Sequence, residues 1–198
     1  MTLPPGIYAQ SRQVVTSQYS VMPPEGVLAS RLPGFTDTTV RFLTSPEMGA
    51  RFAQALLEIE PGGGTTTPRD EGLEHVFYLL SGEVTITIDD EDHQIEPHGY
   101  VYVPIGHPYA IKGGGDGQAR LIWIKRPYEP IDLPAPDPVV GRRETAYRVE
   151  NPDEPGRYWL RLLPVDDMAF DMEVNILGFE PGVYFPYVET HIMEHGLY

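Results

Sequence analysis

Near its C-terminal end the chain carries Glu189, His191 and His195 in the spacing E-x-H-x-x-x-H. Two imidazoles and one carboxylate together offer neutral nitrogen and hard oxygen donors. Such a set suits Mn²⁺, Fe²⁺ or Zn²⁺ and leaves two or three coordination positions for a further ligand, water or substrate. On an extended strand, residues of equal parity share a side, so these three odd-numbered residues can face one interior, with a bend or short bulge between His191 and His195. The chain has no cysteine, which excludes disulfides and thiolate sites and leaves any metal to His, carboxylates or amides. Two other readings stand beside this one. The three residues could be surface groups without a role, or His191-Ile192-Met193-Glu194-His195 could be the H-x-x-E-H motif of a metallopeptidase. That motif works on a helix, and here Pro186 lies upstream, Gly196 follows at once, and Tyr184, Phe185, Tyr187, Val188 and Thr190 are strand formers. Glu194, of opposite parity, is expected at the surface, and the three aromatics in the core.

The elements that must position these groups read as β-strands. Runs at 38–43, 76–80, 84–88, 100–103, 121–124, 158–163 and 174–179 are rich in β-branched and aromatic residues and are bounded by Gly, Pro or Asp. Val84, Ile86 and Ile88 alternate with threonines, the mark of a half-buried strand. Residues 51–60 fit a helix or a strand equally well until the Glu60-Pro61-Gly62 stop. Prolines 127, 130, 134, 136 and 138 are too dense for a central strand or a helix interior. This yields an N-terminal arm (1–37), a first β-domain (38–126), a Pro-rich linker (127–143) and a second β-domain (144–198).

Glu60-Pro61-Gly62 recurs as Glu180-Pro181-Gly182, an offset of 120 residues. The same offset pairs Leu57 with Leu177, Ile59 with Phe179, His75 with His195 and Tyr78 with Tyr198. The two β-domains are therefore read as copies of one unit. In the first copy Arg69 stands where the second has Glu189, and Glu71 where it has His191. A guanidinium in a ligand position repels a cation, so the first copy is expected to be free of metal. His93 and His98 fall in turns and read as structural.

Hydrophobic residues make up 41% of the chain, enough for a core, while Gly (20) and Pro (21) suit many short strands joined by tight turns. With 29 acidic against 14 basic residues the net charge is −15, which argues against nucleic acid and against an anionic membrane surface. Neither a signal peptide nor a transmembrane span is apparent, so a cytoplasmic protein is the expectation. Open barrel edges and the N-terminal arm favour a homo-oligomer.

A P-G turn followed by H-x-H and a third ligand four residues on is similar to motif 1 of the cupins, small antiparallel jelly-roll barrels. With Glu189 in the usual His place and His195 in the usual Glu place, the chain resembles the (S)-ureidoglycine aminohydrolases, a bicupin family. Phe170-Asp171-Met172 and Glu194-His195-Gly196 carry that resemblance most specifically. Pro33-Gly34-Phe35, Gly72-Leu73-Glu74, Tyr78-Leu79-Leu80-Ser81-Gly82 and Gly99 to Pro104 agree in order and spacing. The resemblance runs from about residue 30 to the end.

It implies two tandem cupin barrels, the second incomplete within these 198 residues. It also implies Mn²⁺-dependent release of ammonia from (S)-ureidoglycine, giving (S)-ureidoglycolate in allantoin and purine breakdown. Glu189, His191 and His195 would be three of four protein ligands, with Glu189 also moving a proton during loss of ammonia. The fourth ligand, a glutamine in cupin motif 2, has no counterpart here, so turnover is expected to need further residues of the second barrel. In the first copy the corresponding motif reads Pro104-Ile105-Gly106-His107-Pro108-Tyr109, with Tyr109 in the ligand place and His107 at the rim. The alternative from another class is a non-catalytic bicupin that holds a small polar molecule.

Overall fold

In the computed structural model, which describes residues 13–23, 26–186, 188, 190 and 192–198, the dominant element is a nine-stranded antiparallel sheet curled into a barrel. A small hairpin of β1 (Val14–Val15) and β2 (Ser20–Val21) precedes it, within the stretch read as an arm. The barrel strands are β3 (Phe35–Thr44), β4 (Ala53–Thr65), β5 (Glu74–Ser81), β6 (Val84–Ile88), β7 (Glu91–Ile95), β8 (Gly99–Val103), β9 (Tyr109–Gly113), β10 (Ala119–Arg126) and β11 (Val139–Arg142). Their order is β11-β8-β5-β10-β4-β9-β6-β7, with β3 on the other side of β4. β4 closes the barrel because it is long: residues 53–59 pair with β10, and Gly64 pairs with Lys112 of β9. Residues 53–60, ambiguous in sequence, are thus strand, since neighbours on both sides satisfy their backbone groups. No helix among the described residues is long and apolar enough to cross a membrane.

Parity divides each central strand between two apolar environments. Phe77, Leu79, Val101, Val103, Leu121 and Trp123 fill the barrel interior. The even-numbered neighbours Val76, Tyr102 and Ile124 face outward, yet they too pack, against Leu163, Phe170, Met172 and Val174. At β5 and β8 the sheet is covered on both faces, so these strands read as near-continuous apolar runs, whereas β6 is buried on its inner face alone and alternates.

The covering residues lie between the last two described strands, in the segment read as a second β-domain. β12 (Tyr147–Glu150), β13 (Arg157–Arg161) and β14 (Asn175–Phe179) form a three-stranded antiparallel sheet. A second barrel is not formed by these strands. Glu189 and His191, with the strand expected around them, lie outside the described residues; described positions 183–186, 188, 190 and 192–198 are bend or irregular. The proline-rich stretch ends differently from the reading as well, because Val139–Arg142 add to the edge of β8. That edge offered free backbone groups, and the final proline, Pro138, lies just outside the strand.

The two E-P-G segments differ in secondary structure, Gly62 lying inside β4 and Gly182 in a turn after β14, but their glycines share a backbone conformation. Gly62 (φ 77°) and Gly182 (φ 89°) both adopt the left-handed region, and a Cβ at either would meet no atom within 4 Å. Strain alone then sets the cost of a side chain there. Gly62→Ala and Gly182→Ala are each expected to lower stability by about 1 kcal/mol in urea titrations. A cost above about 3 kcal/mol at either position would mean that more than backbone strain acts there.

Candidate functional site

The three positions that the repeat aligns with Glu189, His191 and His195 lie together at one mouth of the barrel. Arg69 sits on the loop between β4 and β5, held by reciprocal backbone hydrogen bonds with Tyr109 at the start of β9. Its Nε and Nη2 donate to Glu71 Oε1 at 2.8 and 2.6 Å, while Lys125 Nζ at the end of β10 donates to Glu71 Oε2 at 2.8 Å. Burial works to raise the Glu71 carboxyl. The hydrogen bonds and charges of Lys125 and Arg69 outweigh it and hold the group below the usual carboxylate range. Aromatic rings carry the cations: Arg69 lies 5.0 Å from the centroid of Phe35, and Lys125 Nζ 4.5 Å from that of Trp123.

Below this charged layer His75, only 1% exposed, points into the barrel as the odd parity of β5 requires. Its Nδ1 accepts a hydrogen bond from Trp123 Nε1 at 3.2 Å. That bond requires an unprotonated Nδ1, so the neutral ring carries its proton on Nε2. Burial drives the imidazole down to about 4, so it is neutral at pH 7. Tyr109 packs on it at a ring separation of 4.7 Å, and burial raises its phenol above the ordinary range. A fixed guanidinium, a fixed ammonium and a paired carboxylate occupy this mouth, a lining unsuited to a cation.

Of the expected metal ligands, Glu189 and His191 lie outside the described residues, and His195 is exposed. Among the described residues no group of three His, Asp or Glu is gathered closely enough to hold a metal. The tail around His195 lies against the barrel: Glu194 Oε2 accepts from the Arg51 backbone N–H at 2.7 Å, and Leu197 O from Gln54 Nε2 at 3.3 Å. His98, in the turn before β8, has its Nδ1 3.3 Å from the Tyr78 hydroxyl, and His107 pairs with Asp89 at 2.5 Å at the barrel rim.

Sequence reasoning missed a second ionisable cluster, on the outer face of the same sheet. Glu74, fully buried, accepts a hydrogen bond from the Tyr102 hydroxyl at 2.9 Å. Arg126 reaches Glu74 Oε1 at 3.5 Å and Asp171 Oδ2 at 3.3 Å. Burial, reinforced by the neighbouring Asp171 carboxylate, pushes Glu74 up to about 9 despite Tyr102 and Arg126. The signal was present in β5 and β8, where apolar residues at both parities meant that the outer face, Glu74 included, was also covered.

Residues 55–125, which run from β4 to β10 of the barrel, match the cupin domain family. Across a longer span, the chain is similar to proteins of one particular kind. It is 29% identical to the (S)-ureidoglycine aminohydrolase of Escherichia coli (strain K12), over 91% of this chain and 69% of that protein. With the (S)-ureidoglycine aminohydrolase of Arabidopsis thaliana it shares 24% identity over 94% of this chain and 61% of that one. The crystal structure of protein Ylba from E. coli superposes with a TM-score of 0.82 at 28% identity, covering 92% of this chain and 73% of the other. The chain thus spans roughly two-thirds of the curated relatives' length.

Proposed function

We propose that this protein is a hydrolase of purine breakdown that releases ammonia from (S)-ureidoglycine and leaves (S)-ureidoglycolate. The observation that carries this reading is similarity along nine-tenths of the chain to enzymes named for that activity, rather than across the cupin domain alone. The donor set supports it: the carboxylate of Glu189 and the imidazoles of His191 and His195 match what Mn²⁺ and similar divalent ions accept. The first copy adds a geometric argument, since Arg69, Glu71 and His75, 120 residues earlier, do converge at one barrel mouth. A bound ion would supply positive charge to anchor the amine or carboxylate of the substrate. Glu189, beside it, is proposed to move the proton that accompanies loss of ammonia.

The test is ammonia release from (S)-ureidoglycine by the purified protein with added Mn²⁺, alongside elemental metal analysis. His191→Ala should abolish stoichiometric metal binding and reduce turnover by about a hundredfold or more, because it removes one of three ligands. Full metal content in that variant would overturn the ligand assignment. If the protein, supplied with Mn²⁺ and any remaining second-barrel residues of its gene, releases no ammonia, the substrate assignment fails.

A further inference from the structure

The mouth of the first barrel contains an inconsistency in hydrogen bonding that points to a ligand. His75 Nε2 and the Tyr109 hydroxyl are both buried and have no hydrogen-bond partner. Trp123 fixes the proton of His75 on Nε2, so that atom is a donor, and the Tyr109 hydroxyl can donate as well; an acceptor within reach of both would satisfy them. The Glu71 carboxylate at this mouth is taken up on the solvent side by Arg69 and Lys125. Those three side chains are only partly buried, whereas His75 and Tyr109 beneath them are sealed off. The arrangement is a two-cation cradle already filled by a carboxylate from the protein's own loop, set above two unfilled donors.

We infer that the mouth of the first barrel is a binding site for a small carboxylate, which displaces the Glu71 side chain from between Arg69 and Lys125 and accepts hydrogen bonds from His75 Nε2 and the Tyr109 hydroxyl. Glu71 acts as the resident competitor. With it aside, Arg69 and Lys125 leave two positive charges facing the ligand and forked donor geometry for its oxygens. Phe35, Phe77 and Trp123 supply aromatic rings around this mouth, so a small carboxylate such as formate or acetate is the probe of choice. This site is distinct from Glu189, His191 and His195, and it stands whether or not the chain turns over ureidoglycine.

The experiment follows the indole N–H resonance of Trp123, which donates to His75, in the ¹⁵N-labelled full chain, assigned by its loss in Trp123→Phe. Sodium formate and sodium acetate are titrated against sodium chloride at matched ionic strength. Glu71→Ala should give a saturable shift with an affinity about tenfold or more above that of the unmodified protein, since the competing carboxylate is gone. Adding Tyr109→Phe should weaken that binding about tenfold, the value of one buried hydrogen bond. Glu71→Gln keeps the side-chain shape and should also bind formate more tightly than the unmodified protein, so it decides the matter if Glu71→Ala does not fold. A response no larger than that to chloride, or one that Tyr109→Phe leaves unchanged, overturns the proposal.

Discussion

Replacing Arg126 by methionine is expected to destabilise the protein by about 3 kcal/mol, the largest effect of any single surface-proximal change here. Among the described residues, the guanidinium is the cation that bridges the buried carboxylates Glu74 and Asp171 in the seam between the barrel and the layer that covers it. It contacts Glu74, Glu129 and Asp171, and its Nη1 donates to the Asp171 carbonyl at 3.1 Å. Asp171 keeps a hydrogen bond from the Glu129 N–H at 2.7 Å, but its other oxygen is buried without a partner. Methionine preserves the apolar contacts of the arginine stem while leaving the Asp171 carboxylate uncompensated in the seam. Unfolding in urea measures the loss, and hydrogen exchange should show faster opening of residues 163–174. Glu129→Gln, which alters the exposed partner, should cost under about 1 kcal/mol. An equally small cost for Arg126→Met would mean that apolar packing alone holds the covering layer in place.

The second large effect is a pH dependence opposite in sign to that of most carboxylates. Glu74 is raised from the ordinary carboxylate range to about 9 in the folded protein. Its stabilising proton is fully retained at pH values below the unfolded pKa, near 4.5. From there to about pH 9 the unfolded chain has lost that proton while the folded one keeps it. Stability therefore falls through this window, by up to roughly 1.4 kcal/mol per pH unit from this group alone, and levels off above it. Gln is isosteric with the protonated acid and can still accept from the Tyr102 hydroxyl. Glu74→Gln should thus be more stable than the unmodified protein at pH 8 and show a flatter profile between pH 6 and 9, with the two converging near pH 5. Thermal or urea midpoints across pH supply the measurement. Parallel profiles in the two proteins would show that Glu74 is ionised in the seam after all.

Much of this architecture is legible without coordinates because strands write their environment into sequence at a period of two. Val84, Ile86 and Ile88 reveal their inward face on sight. The E-P-G repeat relates two distant segments, and Arg69 and Glu71 stand in the first where the second has Glu189 and His191, so the E-x-H-x-x-x-H set is not repeated there. The helix-or-strand ambiguity at 53–60 could not be settled locally, because a short apolar run fits either period and only pairing to β3 and β10 decides it. The same holds for Val139–Arg142, whose strand exists through the free edge of β8 rather than through its own propensity.

By itself, then, the sequence led to the cupin class, and to the expectation of a duplication and of Glu189, His191 and His195 as ligands, all of which rest on residue types and spacing. Tertiary structure alone decided which charges meet. Glu71 is joined to Lys125 across 54 positions, and Arg126 to Asp171 across 45. No periodicity encodes such pairings, since they arise when separate strands pack in register. The low polarity of the packed interior then converts that proximity into a neutral His75, a protonated Glu74 and two buried donors that lack an acceptor.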